Sequence, residues 1–201
     1  MSGILLRKGS DKGNMMNMHI ENVTKEDAAE LLNIYSVYVR DTAISFEYDV
    51  PTTEEFEYRI ETISARYPYI KAVDDKGKIL GYAYATTFKN RRAYDWSVET
   101  TIYVSKDCRK KGIGRMLYTA LEQSLKQMGI LNMNACIAYT DKLDKHLTND
   151  SKAFHESMGF QLVGRFHKCG YKFNTWYDMI WMEKLIGEHT DNPVNANKTK
   201  A

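Results

Sequence analysis

The chain predicts a single mixed α/β domain, and three observations carry that prediction. Apolar residues alternate between the two-residue period of strands and the three-to-four-residue period of helices. Helix start and stop signals separate the segments, and neither an internal repeat nor a low-complexity linker divides the 201 residues. A chain of this length buries one sizeable core.

In order, MHIENV reads as a first strand. Thr24 and Asp27 then sit as a capping box before the apolar pattern Ala28, Leu31, Leu32, Tyr35, Tyr38, a first helix. Pro51, Thr52 and Glu55 repeat the signal for a second helix through Phe56, Ile60 and Ile63, which stops before Pro68. YIKAV and ILGYAYATTF flank Asp75, Lys76 and Gly77 as a hairpin, and a long strand is expected from Ala93 to Val104. Ile113, Leu117, Leu121, Leu125 and Met128 recur at helical spacing, with Gly129 as the C-terminal cap. The strand MNACIAY, a short helix from Ser151 to Met158, and the strands FQLVGRF and WYDMIWMEKL complete the order β α α β β β α β α β β.

Composition excludes several classes. At 43% hydrophobic and 27% charged the chain is ordinary globular material, and a net charge of +2 lacks the basic excess of a nucleic-acid-binding surface. No run reaches about 18 apolar residues, and MSGILLRKGSDKGNMM has too short an apolar patch for a secretory signal. No nucleic acid and no membrane partner is therefore expected, and a reducing cytoplasm is the expected location. Cys108, Cys136 and Cys169 are odd in number and contain no CxxC pair, so neither a disulfide framework nor a metal site is suggested. Residues 1–17 and 187–201 are polar and aperiodic and are expected as flexible ends of a domain over 18–186.

The chemistry concentrates in AYDWSVETTIYVSKDCRKKGIG. Strand alternation puts Trp96, Val98, Thr100, Ile102 and Val104 on one face and Ser97, Glu99, Thr101 and Tyr103 on the other, more polar one. In Arg109-Lys110-Lys111-Gly112-Ile113-Gly114, two glycines let the backbone approach a ligand, and the following helix aims its unsatisfied N–H groups at the same spot. That arrangement suits phosphate oxygens. It is not a Walker loop, because no Lys-Ser or Lys-Thr follows the second glycine. Nor is it a dinucleotide fingerprint, because Leu117 stands where a third glycine is needed. An ordinary strand-to-helix turn fits the six residues equally well. The acid-bearing strand before it and the amphipathic helix after it favour a phosphate cradle.

Arg109 to Gly114 resembles the RxxGxG pyrophosphate loop of the GNAT family of N-acetyltransferases, and SKAFHESMGF resembles that family's later helix and following strand. RYPYIKAV, AYDWSVETTIYV, FHESMGF and GYKFNTWYDMIWM further resemble, in order and spacing, the phosphinothricin N-acetyltransferase branch. The resemblance implies the GNAT fold: a mixed, mostly antiparallel central sheet flanked by helices. It also implies acetyl-CoA as co-substrate, held between the loop and two splayed central strands, a small-molecule amine as the other substrate, and a homodimer.

Acetyl transfer needs a neutral amine, and an α-amino group with a pKa of about 7.7 to 8.0 is mostly protonated at neutral pH. Glu99 is the candidate base, its pKa raised if the strand is central; a solvated strand carboxylate is the alternative. From Glu99 to Val104 a strand spans about 17 Å at roughly 3.3 Å per residue, room for the pantetheine arm. The resemblance implies that backbone groups of Ile102 and Val104 hold that arm and that Arg109, Gly112, Ile113, Gly114 and Arg115 hold the pyrophosphate. It places His155 where many members carry a tyrosine thought to protonate the departing thiolate. A histidine that packs or orients the cofactor is the other reading. Ser151 matches the helix pattern, and the usual cofactor-contacting asparagine falls one place later, at Asn149. Lys89, Arg91 and Tyr94 are implied contacts to the acidic end of an amino-acid-like substrate, and Phe46 an aromatic wall of its pocket. The reading is acetyl transfer to the α-amine of a small amino acid or analogue by direct attack in a ternary complex. Two rivals stay open: an acetyltransferase for protein N-termini or polyamines, and a non-catalytic acyl-CoA sensor.

Overall fold

A computed structural model describes residues 17–193; the expected flexible ends lie outside the described residues except for residue 17 and residues 187–193. The elements are β1 Met18–Asn22, α1 Ala28–Asp41, α2 Thr53–Ser64, β2 Tyr69–Asp74, β3 Ile79–Thr87, β4 Ser97–Val104, α3 Ile113–Gln127, β5 Asn132–Tyr139, α4 Asp150–Ser157, β6 Gln161–Lys172 and β7 Thr175–Leu185. The seven strands form one sheet in the order β1-β2-β3-β4-β5-β7-β6. Among the described residues β4 and β5 are the parallel pair and the other neighbours are antiparallel, so the expected mixed, mostly antiparallel sheet flanked by helices is present.

The local signals act as their chemistry requires. Thr52 Oγ1 accepts the Glu55 N–H at 3.2 Å and starts α2. The Asp27 carboxylate accepts the Thr24 N–H at 2.8 Å, opening a single 3₁₀ turn that runs into α1. At the β2–β3 turn Gly77 adopts φ +82°, and Asp74 Oδ1 accepts the N–H groups of Lys76 and Lys78 at 2.9 Å. After α3, Gly129 takes φ +77° and the Ile130 N–H returns to the Leu125 carbonyl at 3.0 Å.

Two strand boundaries differ from expectation. β4 begins at Ser97, because Arg92–Tyr94 form a 3₁₀ turn that spends the Tyr94 and Asp95 N–H groups on the carbonyls of Arg91 and Arg92. β6 continues past Phe166 to Lys172 through register shifts after Leu162 and Phe166, bulges that a simple alternation rule reads as an ending.

The sheet separates two layers. On one side α3 buries Ile113, Leu117, Tyr118, Leu121 and Leu125 against Val98, Met133, Ala135 and Ile180; each large apolar side chain so buried contributes about 1.5–3 kcal/mol. On the other side α1 and α2 meet a layer of tyrosines, with Tyr103 edge-on to Tyr35 and Tyr38 at 5.0 and 4.9 Å. Glu99 points into that second layer, and the alternation along β4 is the one expected.

Candidate active site

β4 and β5 are in register over three pairs: Ser97 with Asn132, Val98 with Met133, Glu99 with Asn134. Each keeps its other neighbour much further, β4 with β3 to the Val104–Gly81 pair and β5 with β7 to the Tyr139–Asp178 pair. Beyond Glu99 the two strands part. Side chains take over the hydrogen bonds at the fork: Thr100 Oγ1 donates to the Asn134 carbonyl at 3.0 Å, and Asn134 Nδ2 donates to the Val98 carbonyl at 3.1 Å. Beyond Glu99 the edge of β4 is no longer covered by β5 and faces a cleft.

At the outer end of the fork lies a cleft of about 530 Å³, lined by Ile102, Val104, Arg109, the turn Gly112–Arg115, Ser151 and Phe154. Gly112 is the N-cap of α3 at φ +82°; no side chain caps this helix and no acid stands in its first turn. The positive end of the α3 dipole and its free N–H groups are therefore offered to an anion, with Arg109, Lys110 and Arg115 alongside. The two glycines have different reasons. A Cβ on Gly112 would meet nothing within 4 Å, so its positive φ is what requires glycine. A Cβ on Gly114 would lie 3.1 Å from the Phe154 ring, so that glycine admits α4 and not the ligand alone.

Tyr38, which helical spacing marked only as core, stands in this cleft. Its hydroxyl donates to the Val104 carbonyl at 2.6 Å and accepts the Val104 N–H at 3.3 Å, while the Arg109 guanidinium lies over its ring at 5.1 Å. The Val104 backbone groups expected to hold the pantetheine arm are thus engaged by Tyr38. Asn149 is directed away: Nδ2 donates to the Thr140 carbonyl at 3.0 Å, buried Oδ1 has no partner, and Thr148, Asp150 and Ser151 line the cleft in its stead.

The inner cleft, about 420 Å³, includes Phe46, Glu47, Tyr84, Glu99, Cys136, His155 and Met179 in its lining, and shares Ile44, Ile102 and Ser151 with the outer one. Burial pushes the Glu99 carboxyl above the usual glutamate range, and the Lys89 ammonium opposes that shift. The Cys136 thiol, on a residue exposed at the cleft, is pushed above the usual cysteine range by partial desolvation and then by the Glu99 charge. Lys89 is held over the rings of Phe88 and Trp181, at 5.0 and 5.5 Å. Lys89, Arg91 and Tyr94 are all exposed and line neither cleft; of this expected carboxylate-binding trio only the Lys89 charge acts on Glu99. Phe46 lies against Gly170, where a Cβ would come within 2.4 Å of the ring.

His155 is 3% exposed. Its Nδ1 lies 2.7 Å from the Ser151 carbonyl, which only accepts, so Nδ1 carries the proton. Nε2, 2.8 Å from the Tyr118 hydroxyl, is therefore the acceptor of that O–H. Burial, partly offset by the bond to Ser151, pulls the imidazole pKa down to about 4, so the ring is neutral at pH 7 with no N–H directed at the fork. Tyr118 lines the inner cleft and belongs to the site, although its position beside Leu117 in an amphipathic helix gave no sign of it. Among the described residues no group of His, Cys, Asp and Glu could hold a metal ion, and no helix is long and apolar enough to cross a membrane.

A sheet that forks at a half-buried acid, beside a basic helix N-terminus, offers one continuous site to an anionic cofactor with an extended arm and a proton acceptor at its inner end. Residues 20–181 match the acetyltransferase (GNAT) domain family. A phosphinothricin N-acetyltransferase of Streptomyces viridochromogenes is 33% identical over 83% of this chain and 87% of its own. An L-methionine sulfoximine/L-methionine sulfone acetyltransferase of Pseudomonas paraeruginosa is 28% identical over 84% and 94%. The crystal structure of a GNAT superfamily phosphinothricin acetyltransferase from Sinorhizobium meliloti, in complex with AcCoA, superposes with a TM-score of 0.80 at 30% identity, covering 92% of this chain and 100% of that one. The chain belongs to the GNAT family of acetyl-CoA-dependent N-acetyltransferases, among relatives named for phosphinothricin and methionine sulfoximine.

Proposed function

We propose that the protein transfers acetyl from acetyl-CoA to the α-amino group of a small amino acid or analogue of the phosphinothricin or methionine sulfoximine type, by direct attack in a ternary complex. The observation that carries this reading is the fork at Glu99, which joins a cleft suited to phosphates and an extended thiol arm to a cleft containing a half-buried acid. The α3 turn Gly112–Arg115 and Arg109 take the pyrophosphate, and the open edge of β4 at Ile102 takes the arm, with Tyr38 either yielding Val104 or bridging to the arm through its hydroxyl. The thioester then ends near Glu99.

Glu99 is the proposed base. The amine nitrogen forms its bond to the thioester carbonyl carbon, the carbon–sulfur bond breaks to release the thiolate, and the proton lost by nitrogen goes to Glu99. A carboxyl pKa raised by burial brings that acceptor closer to the amine it serves. His155, neutral and committed on both nitrogens, is assigned the orienting role: it fixes the Tyr118 O–H at the fork and does not itself donate to the thiolate. Phe46 walls the amine pocket, and Lys89, outside the cleft lining but close enough for its charge to act on Glu99, supplies the positive charge for the substrate's acidic end.

A homodimer is proposed with it. β6 is the edge strand of the sheet, and Leu162, Val163 and Phe166 on it, with Trp176 on β7, are each more than half exposed. An apolar open edge calls for a cover, and a second copy of this chain supplies one.

The deciding experiment mixes the protein with acetyl-CoA and follows thiol release over free amino acids, phosphinothricin, methionine sulfoximine, peptides and polyamines. Release with the amino-acid analogues supports the reading. Release only with peptides or polyamines, or none, overturns it.

A further inference from the structure

Lys172, at the end of β6, takes no part in the chemistry above, yet it is 3% exposed. Its ammonium lies 2.7 Å from the Val39 carbonyl, 3.0 Å from that of Thr42 and 2.7 Å from that of Ser45. An ammonium has three N–H donors and no acceptor, so each donor has one carbonyl. Charge-assisted bonds of this kind are the strong ones, and a buried charge survives only when so satisfied.

The acceptors identify the task. Val39 belongs to the last turn of α1, where carbonyls lack helical partners and the dipole is negative. The N–H that would close on Val39, that of Ala43, is spent on the His146 carbonyl. Thr42 and Ser45 lie in the connection that follows, and Ile44, Ser45, Phe46 and Glu47 line the cleft around Glu99. This connection has no ladder or helix of its own. The tip of the β6–β7 hairpin grips it: Gly170 lies under Phe46, the Tyr48 hydroxyl donates to the Tyr171 carbonyl, and Lys172 gathers its three carbonyls.

We propose that Lys172 is the positioning residue of the amine pocket: by holding the turn from Val39 to Ser45 it sets where Ile44 and Phe46 stand relative to Glu99, and hence which amines fit. This rests on the reading of the inner cleft as the amine site. Removing the ammonium leaves three buried carbonyls competing for nothing, and a loop in that state relaxes.

The test compares wild type with Lys172→Met and Lys172→Arg, measuring KM for methionine sulfoximine, acetyl-CoA affinity by calorimetry, and amide exchange at residues 43–47. Lys172→Met is expected to raise the amine KM roughly tenfold or more, since small misplacements at a site are costly, to leave acetyl-CoA affinity at its wild-type value, and to speed exchange at 43–47. Lys172→Arg, which keeps a cation, should recover most of the KM. Unchanged KM and unchanged exchange in Lys172→Met overturn the proposal, as does an equal loss of acetyl-CoA affinity. If Lys172→Met does not fold, Tyr48→Phe, altered at an exposed residue of the same grip, should shift KM and exchange in the same direction by less, and no shift in either overturns it. If wild type acetylates no amine, the functional reading fails, and exchange at 43–47 still decides the role of Lys172.

Discussion

Glu99 stands opposite Asn134 as the last aligned pair between β4 and β5, so the candidate base sits at the point where the sheet opens. Its burial raises its pKa. Glu99→Gln is expected to cut turnover by about 10²–10⁴, most above the raised Glu99 pKa and below that of the amine, where the carboxylate is ionised and the amine still has a proton to lose, with acetyl-CoA affinity preserved. A pH–rate profile matching wild type would remove Glu99 as base.

The same raised pKa has a consequence for stability. A carboxyl held above its unfolded value contributes favourably while protonated, and that contribution is lost as pH rises through the folded value. Above that value Glu99→Gln should melt at a higher temperature than wild type. A lower melting temperature there would show that the ionised Glu99 is better satisfied than its surroundings suggest.

His155 carries the opposite sign. Its folded pKa of about 4 lies below the ordinary 6.5, so its contribution is present above pH 6.5 and is lost as pH falls toward 4. The melting-temperature advantage of wild type over His155→Gln should therefore shrink across that window. Nitrogen-15 NMR should find Nδ1 protonated and Nε2 bare at pH 7. Tyr118→Phe, which strips Nε2 of its partner, is expected to cost about 1–3 kcal/mol; an imidazole titrating near 6.5 would restore His155 as a proton donor.

Gly112 and Gly114 separate ligand geometry from packing. Gly112→Ala places a side chain at φ +82°, costing about 1 kcal/mol, and is expected to raise the acetyl-CoA dissociation constant by disturbing the α3 N-terminus. Gly114→Ala drives a methyl into Phe154, and its loss of stability should be partly relieved by adding Phe154→Leu. Calorimetric titration and thermal melts of the three variants check both; unchanged acetyl-CoA binding in Gly112→Ala would remove the loop from the cofactor site.

Light scattering should find wild type at the mass of two chains, and Val163→Lys with Phe166→Glu at the mass of one. A wild-type mass of a single chain would exclude the β6 edge as an interface.

Much of this molecule was legible in order along the chain. Period, caps and turn residues are local, so the succession of elements, the face of β4 that bears Glu99 and the glycine turn at the start of α3 could be read from neighbours a few residues apart. Strand ends were less legible at Ala93 and Phe166, where a 3₁₀ turn and bulges replace simple alternation. The rest depends on pairs far apart in sequence. Tyr38 meets Val104, Tyr118 meets His155, and Lys172 meets Val39 and Ser45, and no spacing rule links such positions. Arg91 looked like a carboxylate fork in sequence yet stays exposed outside both clefts. Gly114 looked like a ligand glycine, and the fold shows that it also makes room for Phe154. The sequence alone determined which residues could do the chemistry. Tertiary structure decided which of them are brought together and with what charge, because burial and long-range hydrogen bonds exist only after the chain has folded.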